Sequence, residues 1–151
     1  MYKKILFSTC LTEYCDHIFN FALNLAIENN AKLWIYHGLG PLDLKMEEII
    51  EKIKDGETRL VEAYVERMKN KGFPDYMINV SDGNKVDEMS KLAKNAGIDV
   101  IIIGTSTKTP LEAGEGPTSG FLGTTASEII LKAPSPVIVV PPSLLPGLVK
   151  G

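Results

Sequence analysis

The chain has 151 residues, 44% of them hydrophobic and 23% charged, with 16 basic against 19 acidic side chains and a formal charge of −3. That is the size and make-up of one ordinary globular domain with a sizeable core. The acidic balance, with a pI of about 5.4, excludes nucleic-acid binding through a basic surface, which needs clustered Lys and Arg.

It does not exclude a single phosphate-bearing ligand. The opening MYKKILFSTCLTE starts basic, but Ser8 and Thr9 break its apolar run, so it lacks the pattern of a signal peptide. No apolar run approaches the roughly 18 residues of a membrane span. Two cysteines, Cys10 and Cys15, are too few for a disulfide framework. The expectation is a cytoplasmic protein with reduced thiols and no membrane or nucleic-acid partner.

In chain order, Lys3–Thr9 has a short apolar core and reads as a buried strand. A helix follows, capped by Thr12 or Asp16, with Cys15, Ile18, Phe19, Ala22, Leu25 and Ala26 on one face at the helical period. Asn29-Asn30 ends it, and 31–37 (AKLWIYH) is a second strand. A long charged helical region runs from Leu44 to Lys71, its apolar residues again spaced by three and four. Gly56 sits inside it and predicts a break or kink, because Gly costs about 1 kcal/mol against Ala in a helix interior. Gly72-Phe73-Pro74 stops the helix, and Tyr76–Val80 is a third strand. Asp82-Gly83-Asn84 caps a helix with Val86, Met89, Leu92, Ala93 and Ala96 on one face, closed by Gly97.

The stretch from Asp99 to Val140 is the most informative. Asp99–Ile103 is a continuous apolar run, as in a strand covered on both faces. A glycine-rich loop follows, then a helix over Leu122–Lys132 that opens on Gly123-Thr124-Thr125, and a strand over Pro136–Val140 with its prolines at the ends. A strand, a glycine loop and a helix N-terminus together make an anion site, since backbone amides and the helix dipole favour phosphate. The bland alternative is that the glycines merely permit turns in a long connection. The alternation of five strands with four helical regions predicts an α/β fold, a single doubly wound domain with helices on both faces of a parallel sheet. An apolar tail, 141–151, carries Leu144, Leu145 and Leu148.

Two further constellations carry groups capable of chemistry. Cys10 and His37 fall at the ends of neighbouring strands, about 5 Å apart laterally, with Cys15, Asp16 and His17 near in sequence, which invites zinc. The simpler reading places Cys15 on an apolar helix face, and no metal site is expected. Cys10 beside a helix start is also a candidate reactive thiol, since such a position lowers a thiol's pKa. No acid–base pair presents itself, so an enzyme is the weakest reading, with at most slow ATP hydrolysis.

These residues resemble the universal stress protein family, of the adenine-nucleotide α-hydrolase-like superfamily, from about Lys3 to Pro141. The resemblance rests on the order and spacing of ILFSTCLTEYCDHIFNFALNLAIENNAKLWIYH, His37-Gly38, Leu92–Gly104 and the Pro136–Val140 strand. It implies a five-stranded sheet of order 3-2-1-4-5, with ligands at the strand C-termini near the switch between the first and fourth strands. It implies ATP or AMP, with Mg if ATP, at Thr9, Cys10, Gly38, Gly104, Thr105, Gly123, Thr124 and Thr125; the residues themselves add Gly120, since Gly120-x-x-Gly123-Thr124 makes a candidate phosphate nest within the loop. It also implies a homodimer through Val137–Val140 as an edge strand, and a His at position 37 without a metal.

The ATP motif is degraded. The family pattern G-x2-G-x9-G-[ST] keeps Gly104 and Gly123-Thr124, but Thr107 replaces the second glycine. Eighteen residues separate Gly104 from Gly123 where the pattern has twelve, and the extra six lie in a loop with Gly114, Gly116, Pro117 and Gly120. Cys10 stands where the family has an Asp that accepts from the nucleotide, and a thiol is a weak acceptor. Two functions therefore compete. One is a stress-response nucleotide-binding dimer; the other is a dimeric interaction protein that has lost its nucleotide.

Overall fold

The computed structural model describes residues 2–105 and 123–141. Gly120, Thr107 and the leucines of the tail lie outside the described residues.

Five strands, β1 (Lys4–Ser8), β2 (Lys32–Gly38), β3 (Tyr76–Ser81), β4 (Val100–Gly104) and β5 (Val137–Val140), form one sheet in the order β3-β2-β1-β4-β5. Every pairing is parallel. Alternation along each strand sorts its side chains to two faces, so the sheet carries two cores. Ile5, Phe7, Leu33, Ile35, Val100 and Ile102 enter one of them. Leu6, Trp34, Tyr36, Ile101 and Ile103 enter the other.

The first core is covered by α1 (Glu13–Asn29) and by the long helical region between β2 and β3. The second is covered by α4 (Lys85–Ala96) and α5 (Thr124–Lys132). The caps follow local chemistry. Thr12, not Asp16, caps α1 by accepting from the Cys15 amide, and Asn84 caps α4 by accepting from the Asp87 amide at 3.0 Å. Asn30 and Gly97 end α1 and α4 in the left-handed conformation that these residue types tolerate.

The expected break at Gly56 is not there. The helix α2 (Met46–Leu60) runs through it, and the irregularity lies further on, in a π-helical turn at Val61–Val65 before α3 (Glu66–Asn70). Gly56 is a contact position: a Cβ there would sit 2.9 Å from Val80 Cγ1 of β3. The π turn has its own cause. Leu60, Tyr64 and Met68 are all fully buried, and a spacing of four precesses by about 40° per step on an α-helix. A wider turn absorbs that drift and keeps the three on one face.

Among the described residues no helix is long and apolar enough to cross a membrane.

Candidate functional site

The C-terminal ends of β1, β2 and β4 and the first turns of α4 and α5 enclose a cavity of about 310 Å³. That is at the lower end of the roughly 300–1,000 Å³ of small-molecule sites. A shallower neighbour of about 250 Å³ shares Lys85, Thr124 and Thr125 with it. The cavity lies at the ends of the paired strands β1 and β4, with α1 on one face of the sheet and α5 on the other, which is where an open parallel sheet has room for a ligand. Eight of the nine expected residues line it: Thr9, Cys10, Gly38, Gly104 and Thr105 from the strand ends, and Gly123, Thr124 and Thr125 from the start of α5. Gly120 lies outside the described residues.

Their roles differ from the expected ones. Thr9 is 5% exposed, and its hydrogen-bonding capacity is spent inside the protein. Its hydroxyl bonds Tyr64 Oη at 2.6 Å and accepts from the Leu11 amide at 3.0 Å. Its own amide donates to the Tyr36 carbonyl at 2.9 Å. The Thr105 amide is likewise taken, donating to Tyr14 Oη at 3.0 Å. The same phenol donates to the Val140 carbonyl, so Tyr14 ties the ends of β4 and β5 together.

Gly104 lines the cavity only with its backbone. A Cβ there would meet Ile18 Cδ1 at 2.5 Å and Tyr14 Cζ at 2.8 Å, so this glycine makes room for α1, not for a ligand. Gly38 is similar: a Cβ would lie 2.8 Å from Lys85 Cγ and 2.9 Å from Tyr36 Oη.

The anion-binding potential sits on the α4–α5 side. Gly123 is the N-cap of α5 with φ 85°, a conformation that favours glycine, and α5 has no acidic residue in its first turn. A helix leaves its first amides without intrahelical acceptors, and the dipole adds to their pull on an anion. Lys85, an exposed residue whose stem packs on Gly38, also lines the cavity. Its charge and that of Arg59 both act on His37. Burial first, and these two cations second, hold the His37 imidazole below its ordinary range, against the favourable contact of Nδ1 with the Thr9 carbonyl at 3.1 Å.

Lys85, Tyr36 and Cys15 were not among the expected site residues. For Lys85 a signal was present: it is the first residue of α4, and a cation in a helix's first turn opposes the dipole. Tyr36 gave none, because its apolar neighbours 33–35 mark it as core. The phenol in fact bonds Ser81 Oγ at 2.7 Å from the cavity wall.

Cys10 and Cys15 face each other with sulfurs 2.9 Å apart; Cys10 is exposed and Cys15 buried. Cys15 also receives the Cys10 amide at 3.3 Å. The Cys10 thiol is pushed up by the bond to Cys15 and by partial withdrawal from water. The same bond draws Cys15 down to about 5, against burial and with help from the Cys10 amide and the Thr12 and Thr9 hydroxyls. His37 directs Nδ1 to a carbonyl, and among the described residues no three His, Cys, Asp or Glu side chains gather around one point.

The profile of the universal stress protein family matches residues 1–141 of this chain. The chain belongs to that family. Universal stress protein MJ0577 of Methanocaldococcus jannaschii is 25% identical over 160 residues, covering 93% of this chain and 95% of its own. Among solved structures, a universal stress protein in complex with cAMP superposes with a TM-score of 0.72 at 20% identity, over 92% of this chain and 97% of the other. UspA from Lactobacillus plantarum gives 0.71 at 21% identity, with the same coverage. The Archaeoglobus fulgidus protein in complex with dAMP gives 0.62 at 21%, over 91% and 97%. At these identities the likeness of the three structures bears on the fold, and all share it with this chain.

Proposed function

We propose that this universal stress protein binds an adenine nucleotide, ATP or AMP, in the cavity at the C-terminal ends of β1 and β4 and acts in stress response as a homodimer. The observation that carries this reading is the convergence of the α5 N-terminus and Lys85 on one wall of the cavity. Relatives in complex with cAMP and dAMP support it. The phosphate goes to the Thr124 and Thr125 amides and Lys85; the residues present fit that group. With ATP, Mg would be bound along with the phosphates and would supply shielding of their charge. Among the described residues the titratable side chains on the wall are Cys10, Cys15, Tyr36 and Lys85, and on this reading hydrolysis is at most slow.

Calorimetric titration with ATP, AMP and cAMP, with and without Mg, tests the reading. Lys85→Ala removes a charge-assisted contact worth about 1.5–3 kcal/mol, so affinity is expected to fall by roughly tenfold to a hundredfold. Absence of binding at millimolar nucleotide would sink it.

The second reading is a dimeric interaction protein without nucleotide. Cys10 in place of a carboxylate acceptor, and a Thr105 amide already bonded to Tyr14, favour it.

A further inference from the structure

We propose that Cys10 and Cys15 form a redox-active dithiol that reacts with low-molecular-weight disulfides and closes to an internal disulfide on the cavity wall. The argument starts from distance. The sulfurs stand 2.9 Å apart, and a disulfide needs about 2.05 Å, so closure asks for less than about 1 Å of movement.

The approach is built by the backbone between them. Leu11 takes a positive φ of 61°, uncommon for a leucine, and its amide is held by Thr9 Oγ1 at 3.0 Å. That turn carries Cys10 back over the first turn of α1, where Thr12 caps the helix and holds the Cys15 amide at 3.3 Å. Thr12 Oγ1 also lies 3.3 Å from Cys10 Sγ. Apolar packing explains a buried Cys15, but it does not explain an exposed Cys10 aimed at its sulfur. Cys15 is the third residue of α1, inside the turn where the helix dipole stabilises a thiolate.

Exposure sets the order of events. One proton is shared between the two sulfurs across 2.9 Å; when it rests on Cys15, the exposed Cys10 thiolate attacks one sulfur of the incoming disulfide RSSR. One RS⁻ leaves and takes that proton from Cys15 as RSH. The Cys15 thiolate then attacks Cys10 Sγ, the Cys15–Cys10 bond forms, and the second RS⁻ departs. The dithiol monoanion and RSSR thus become a protein disulfide, RSH and RS⁻; the protein loses two electrons and RSSR gains them. A thiol reductant runs the sequence backwards. The chemistry does not depend on nucleotide binding.

The test uses the full chain in buffers of oxidised and reduced glutathione, followed by denaturation, alkylation and intact mass. The wild type is expected to lose two hydrogens and both alkylation sites, with no adduct, and to recover both with dithiothreitol. Cys15→Ser should hold one glutathione on Cys10; Cys15→Ala serves the same purpose if the buried hydroxyl disturbs packing. Cys10→Ser should react at least about tenfold more slowly, since its remaining thiol is buried. The proposal is overturned if both wild-type thiols stay alkylatable, or if the wild type keeps the glutathione adduct. Crosslinking between chains, or a Cys10→Ser variant that reacts as fast as wild type, would overturn it too.

Discussion

At the scale of single residues, the site is defined by how hydrogen-bonding capacity is distributed. Thr9 and Thr105 line the cavity, yet their polar groups are committed to Tyr64, Leu11 and Tyr14. They hold the floor in shape and leave recognition to α5 and Lys85. His37 reports on the same field. Its folded pKa is held below 6.5 by burial and by the Arg59 and Lys85 charges, while the unfolded chain takes up the proton near 6.5. The unfolded state therefore binds more protons as pH falls below 6.5, so His37 favours folding above that pH, and the contribution is lost progressively below it. An NMR titration should place the His37 midpoint below 6.5. Urea denaturation of His37→Gln should show a shallower loss of stability just below that pH than the wild type; a His37 midpoint above 6.5 would contradict the argument.

At the scale of elements, the long helical region shows tertiary packing overriding propensity. Gly56 lies in a continuous helix because Val80 occupies the space of its missing Cβ. Gly56→Ala gains about 1 kcal/mol of helix propensity, but overpacking against a stiff β-branched side chain costs about 1–3 kcal/mol. The expected net effect is a loss of about 1 kcal/mol in urea denaturation. A stabilised variant would mean that Val80 yields freely. The neighbouring π turn serves the same core. It sets Tyr64 against Phe7 and Phe19, with ring centroids 5.8 and 4.3 Å away, and sends its hydroxyl to Thr9. A helix irregularity on one face of the sheet thereby steadies a strand end at the cavity.

At the scale of the whole molecule, β3 and β5 are the sheet's two edges. Val137, Ile138 and Val139 are half-buried, and β5 carries no charge to deter pairing with another strand. A twofold partner that pairs with β5 removes this edge, and closed twofold pairing is the commonest assembly of like chains. A homodimer is the expected species, and light scattering at micromolar concentration checks it. A monomeric mass would remove this part of the proposed function.

The sequence by itself determined the elements, their order and the neighbourhood of the site. Uninterrupted apolar runs such as 100–103 require cover on both faces, helical faces repeat at three and four, and Thr12, Asn84 and Gly97 mark helix ends chemically. These are local signals, so they survive in one dimension. Only the tertiary structure decided what each site residue does. Whether Gly104 admits a ligand or Ile18, whether the Thr105 amide is open or bonded to Tyr14, and whether Lys85 lies beside the cavity all depend on groups distant in the chain. The same holds for the two thiols. Their separation by four residues is legible in the sequence, but the 2.9 Å between their sulfurs comes from one left-handed turn at Leu11. A leucine carries no local signal for that conformation.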